Sequence, residues 1–203
     1  MDLIVLNSER YFLDFLMCLA GFSAATLGLS TTAYRGGTPY KPGSKLRLGG
    51  SISGANQDLL FDPSFILRFV IKDDIPPQLK FTVETANPHA ITSAGHITLH
   101  KYSPVIEALF LSMISSYFQR HRDTIERKYG QQTQNWPAEW NFGRVVRNAL
   151  AHGGDVYFNN SATAPVSWRG LTLSPADNAQ KLLFGFLGPA DIFALIIDMD
   201  FFL

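Results

Sequence analysis

Phe142-Gly-Arg-Val-Val-Arg147-Asn148-Ala-Leu-Ala-His152-Gly153-Gly154 is the one stretch of this chain in which polar groups interrupt an apolar helix in a regular pattern. Pro137 ahead of it and the glycine pair behind it bound a helix over 138–151. Proline suits a helix start, and glycine takes the left-handed backbone that caps a helix end without steric cost. At 3.6 residues per turn Asn148 and His152, four apart, share a face, with Arg144 one turn earlier on the same stripe. Arg147 and His152 are five apart, about 140° around the axis, and do not. His152 falls in the last turn, a place that suits a proton donor.

Upstream, Ser103-Pro104 opens a longer helix in which Val105, Ile106, Leu109, Phe110, Met113, Ile114, Tyr117 and Phe118 keep helical spacing, with Glu107 early in it. A charged end over 120–128 follows, and Gly130 stops it. Downstream, Val156-Tyr-Phe158 and Val166-Ser-Trp168 bracket a turn-rich segment and predict a hairpin. Ser174-Pro175 and Gly188-Pro189 each start a further helical piece. Residues 65–71, 80–84 and 96–100 are extended in pattern, separated by Pro76-Pro77 and Asn87-Pro88, and predict a small antiparallel sheet. Ser8 caps an apolar helix running to about Leu29, and Tyr34 to Gly54 reads as a glycine- and proline-rich loop with a short strand. The expected architecture is α+β, mainly α. An N-terminal helix and a strand-rich region over 1–102 pack on a helical core with a hairpin over 103–203.

The 203 residues, 46% apolar and only 17% charged, are enough for a sizeable core and exclude disorder over most of the length. Seventeen basic and seventeen acidic residues give no net charge, so a site for nucleic acid must be local. The basic excess lies over 101–154, and Arg35, Lys41, Lys45 and Arg47 form a second, acid-free group that either is a solvated loop or attracts phosphate. The single cysteine, Cys18, excludes a disulfide framework and a cysteine-based zinc site within one chain, which points to a reducing cytoplasm. Tyr11 to Leu29 is 19 residues with Asp14 as its only charge. Asp14, Ser23, Thr26 and two glycines favour a buried helix over a membrane span, and residues 1–10 lack the positive start of a secretory signal.

The stretch around Arg147 resembles the Arg-x4-His signature of the HEPN superfamily, with the asparagine after the arginine and the glycine after the histidine in that family's common form. The resemblance covers about half the chain, from Ser103 to Leu203, including the hairpin with Trp168-Arg169-Gly170. It departs over 34–100, where extended structure interrupts an all-helical bundle. Gly154 also stands where the modifiable HEPN toxins carry a tyrosine. What the resemblance implies is a HEPN-like helical bundle in a homodimer, two motif helices converging on one cleft, and a metal-independent endoribonuclease with no cofactor. In that reaction the 2′-hydroxyl attacks the adjacent phosphate to leave a 2′,3′-cyclic phosphate, His152 handles protons, Arg147 stabilises negative charge, and Asn148 orients the histidine or a phosphate. Arg144 would contact RNA, and DNA, lacking the 2′-hydroxyl, is not a substrate. Use as a toxin or phage-defence effector, restrained by an antitoxin or regulatory partner, is the biological setting implied.

Other readings of the same residues stay open. Arg147 could pair with an acid such as Glu107, Asn148 and His152 could satisfy carbonyls at a helix end, and Arg144 could be solvated surface. The same dimer could bind nucleotide or RNA without cutting it. The helix from Tyr11 to Leu29 could instead serve a protein partner or a membrane surface. His96 and His100 share a strand side without a third ligand at metal spacing, His89 reads as a surface turn, and His121, amid Arg120 and Arg122, reads as a solvated helix end or part of a basic patch. Tyr157 and Trp168 either stack bases or pack on the core.

Overall fold

The computed structural model describes residues 1–33, 45–51, 55–72, 74–85 and 103–203. Among these are five α-helices and six strands, a mixed α/β fold. β1 (Asp2–Leu6) leads into α1 (Phe12–Ala33), followed by β2 (Leu46–Leu48), β3 (Gln57–Phe61), α2 (Ser64–Lys72) and β4 (Gln78–Thr85). The second half holds α3 (Ser103–Tyr129), α4 (Ala138–Ala151), the hairpin β5 (Val166–Trp168) and β6 (Leu171–Leu173), and α5 (Pro189–Asp200).

The larger sheet has the order β1-β4-β3-β2 and every pairing is antiparallel. Its alternation puts Val5, Leu48, Leu59, Phe61, Leu79 and Phe81 into the core, since successive strand residues point to opposite faces. Phe81 lies 5.8 Å from Phe193 of α5 and 6.2 Å from Phe61, while Phe22 of α1 reaches Phe61 and Phe110 of α3. These rings join both halves of the chain in one core. The charge inside the apolar α1 is answered, because Asp14 pairs with Arg120 of α3. No helix among the described residues is long and apolar enough to cross a membrane.

α4 is held between α3 and α5. Trp140, fully buried, donates its indole N–H to the Met199 carbonyl at 2.9 Å and lies 5.2 Å from the Phe118 ring. Truncating so large a side chain to alanine would cost about 3–5 kcal/mol. Gly143 lets Met199 close on the helix, as a Cβ there would sit 2.6 Å from the methionine sulfur. At the start of α5 the buried Asp191 accepts from the amides of Gly188, Ser51 and Ala55, which ties the β2–β3 connection to the second half. A carboxylate at a helix start also suits the positive end of the dipole.

Several expectations are corrected. Residues 65–71 are helical, within α2, because Asp62 accepts from the Ser64 amide at 2.8 Å and Pro63 preorganises the first turn. Val166–Trp168 pairs with Leu171–Leu173, not with 156–158, through the two-residue turn Arg169-Gly170 at φ 46° and 84°. Val156 instead exchanges backbone hydrogen bonds with Gln180 and Ala179. Ser8 lies in a turn and the first helix starts at Phe12, after a strand that the apolar pattern conceals. Ser174-Pro175 opens only one 3₁₀ turn, Pro175–Asp177. His121 is not a solvated end: its ring lies 4.8 Å from that of Tyr117, its Nε2 is buried without a partner among the described residues, and burial, reinforced by Arg120, lowers its pKa. The strand expected over 96–100, with His96 and His100, lies outside the described residues, as do His89, Arg35 and Lys41.

Candidate functional site

α4 covers Ala138–Ala151, and His152 follows as its C-cap with φ −115° and ψ 30°, so the imidazole leaves the helix just past its last turn. The amides of His152 and Gly154 both return to the Ala149 carbonyl, at 3.0 and 2.8 Å. Gly153 and Gly154 take φ of 67° and 87°, the left-handed cap that a β-carbon would strain. Gly154 has a second reason to be glycine, because a Cβ there would overlap the Glu107 carboxylate.

The motif side chains fall into two pairs. Arg147, half-buried, donates from Nη1 to the Asn148 Oδ1 at 3.3 Å and from Nη2 to the Gln119 Oε1 of α3 at 3.4 Å. Both distances are near the limit of a hydrogen bond, so this guanidinium is lightly held. His152 is exposed and stacks on the half-buried Tyr157 ring, centroids 3.5 Å apart and planes 19° apart. No hydrogen bond among the described residues joins His152 to Arg147 or Asn148.

Arg144 is half-buried rather than surface-solvated, and its Nε is buried without a partner. Burial lowers the pKa of its guanidinium. Neither Arg144 nor Arg147 has a carboxylate partner among the described residues, whereas Arg10, Arg47, Arg120, Arg122 and Arg169 each do. The pairing of Arg147 with Glu107 does not occur. Of the acid-free group near the N-terminus, Arg47 bonds Asp58 and Glu84 and so is not a free phosphate contact, while Lys45 bonds the Thr82 hydroxyl.

Glu107 lies beneath the glycine turn with its Oε1 buried and unpartnered. Its neighbour is Lys181, whose Nζ is 4.0 Å from Oε2, 2.8 Å from Asp155 Oδ1 and 2.7 Å from the Gly153 carbonyl oxygen. Burial holds the Glu107 carboxyl above the usual carboxylate range; Lys181 opposes this and Asp155 adds to it. The hydrogen bond to Asp155 holds the Lys181 ammonium above its ordinary value. Lys181 and the Tyr157 stack escape a reading of sequence. Lys181 lies in a loop 28 residues from Gly153 with no periodic signal, and stacking depends on a turn that hydrophobic patterning does not describe.

Trp168 is buried and donates its indole N–H to Asp198 of α5 at 2.8 Å, so it packs rather than stacks bases. Among the described residues no three histidine, cysteine or acidic side chains cluster as a metal site would need. A cavity of about 320 Å³ is lined by Arg68, Asp74, Pro77 and Lys80, and no residue of α4 lines it. Comparison of the chain with protein-family models, with curated proteins and with solved structures finds no match. The HEPN resemblance therefore rests on the reading of the sequence alone.

Proposed function

We propose that this chain is a metal-independent endoribonuclease of HEPN type acting as a homodimer, with Arg147, Asn148 and His152 in the reaction and Arg144 on the RNA. The observation that supports it is that Arg144 and Arg147, both half-buried on α4, have no acidic partner among the described residues. A half-buried cation without an anion is costly to keep, and an RNA phosphate is the anion that a planar guanidinium fork matches best. In the proposed step the 2′-oxygen bonds to phosphorus, the P–O5′ bond breaks, and histidine takes the 2′ proton and returns one to O5′. Arg147 stabilises the charge that gathers on the phosphoryl oxygens. The two motif pairs of one subunit are not bonded to each other, and a second copy of α4 would supply the facing wall of a cleft.

RNA incubated with the protein in EDTA is expected to be cut to 2′,3′-cyclic phosphate ends, and His152→Ala to stop cutting while RNA binding survives. Activity that requires Mg²⁺ would contradict this reading. A second reading, a dimer that binds RNA or nucleotide without cutting it, draws on His152 lying against Tyr157 rather than beside Arg147. RNA bound but left intact by the unaltered protein would favour it.

A further inference from the structure

The turn that carries His152 is fastened from outside α4. Lys181 donates from Nζ to the Gly153 carbonyl oxygen at 2.7 Å while pairing with Asp155 Oδ1 at 2.8 Å, so one side chain spans the residues just after the histidine. The backbone repeats the link on either side: the Val156 amide bonds the Gln180 carbonyl and the Leu182 amide bonds the Gly154 carbonyl. Glu107 of α3, 4.0 Å from the ammonium, supplies a third oxygen. On the other side of the turn, Tyr157 offers its ring as the surface on which the imidazole lies.

We infer that Lys181 is a positioning residue that holds the Gly153 turn in place and so keeps the His152 imidazole seated on Tyr157. Lys181 is more than half exposed, and an ion pair at that exposure adds little to global stability. Its effect is local: it biases one turn between a seated and a lifted imidazole, and a small displacement of a reacting group is costly to catalysis. The consequence for cleavage rests on the nuclease reading, whereas the seating of His152 does not.

The test compares the full-length protein with Lys181→Met and Lys181→Arg. In the methionine variant the amides of Gly154 and Val156 are expected to exchange about five-fold faster. The His152 ring resonances, displaced by the Tyr157 ring current, should move toward those of a free histidine. RNA cleavage should fall about ten-fold in kcat with KM little changed. The arginine variant, which can still donate to the Gly153 carbonyl, should restore most of each signal. Unchanged exchange and unchanged His152 resonances in Lys181→Met would overturn the inference, whether or not RNA is cut. If the unaltered protein cuts no RNA, the nuclease reading fails while the exchange and resonance data still decide the role of Lys181. Asp155→Asn, which removes one anchor of the ammonium, should shift the same signals by less, and no shift there would count against the clamp.

Discussion

Arginines paired with carboxylates and the two arginines on α4 are held in different ways. Arg10 reaches Asp200 through Nε at 2.9 Å and Nη2 at 3.2 Å, and Arg169 reaches Asp198 at 2.7 and 2.9 Å. Arg147 touches only two amide oxygens at 3.3 Å or more, and the buried Nε of Arg144 touches nothing among the described residues. A guanidinium already neutralised by a carboxylate serves the fold. One left with neutral acceptors keeps its charge for an anion from outside. Arg127, held by the Asp123 carbonyl and the Thr124 hydroxyl, also lacks a carboxylate but lies exposed on α3, whereas Arg144 and Arg147 are half-buried.

The largest expected consequence is on activity. Arg147→Ala should lower RNA cleavage by about 10²–10³-fold, as loss of a charge-stabilising donor does, with the thermal midpoint unchanged. Arg169→Ala should leave cleavage as it was. Equal losses in the two variants would erase the distinction.

Next comes stability at a paired site. Asp200 accepts from Arg10 and, at 2.7 Å, from the buried Tyr117 hydroxyl, whose pKa is driven up by burial and by that bond. Asp200→Asn should cost about 1–3 kcal/mol in urea denaturation, and cleavage should persist. Arg144→Met is the converse. Its Nε has no partner to lose, so stability should hold or rise by less than about 1 kcal/mol, while RNA affinity falls. A cost as large as that of Asp200→Asn would mean that Arg144 belongs to the scaffold.

The smallest effect is a pH dependence at Glu107. Its folded carboxyl titrates above the ordinary 4.5, so the folded state holds the proton more tightly than the unfolded chain. The stability this contributes is complete below that value and drains away as pH rises through the folded pKa. Glu107→Gln keeps the neutral form at every pH. Its urea midpoint should therefore exceed that of the unaltered protein by a margin that widens from about pH 4 to about pH 8. A constant margin would contradict the buried setting of Glu107.

Helices with explicit boundaries were legible from sequence. Pro137 and the glycine pair bound α4 at Ala138–Ala151, and Ser103-Pro104 with Gly130 bound α3. Residues 65–71 were misread because a short apolar run carries no period that tells a buried strand from a helix, and Asp62-Pro63, the start signal, lies just outside it. The hairpin was misplaced because its turn is Arg169-Gly170, where a non-glycine residue takes positive φ. Arg144, Arg147, Asn148 and His152 stand out in the sequence through the motif and its helical spacing, but their partners do not. Gln119 comes from the facing helix and Lys181 from a distant loop, and only the packed fold brings them near.

RNA affinity across a series of salt concentrations, for the double variants Arg144→Gln with Arg147→Gln and Arg122→Gln with Arg169→Gln, puts the two kinds of arginine side by side. The account predicts weaker binding for the α4 pair, with the slope of log affinity against log salt reduced by about 1 to 2, and no change for the carboxylate-paired set. Equal weakening in both, or loss only in the second, would contradict it.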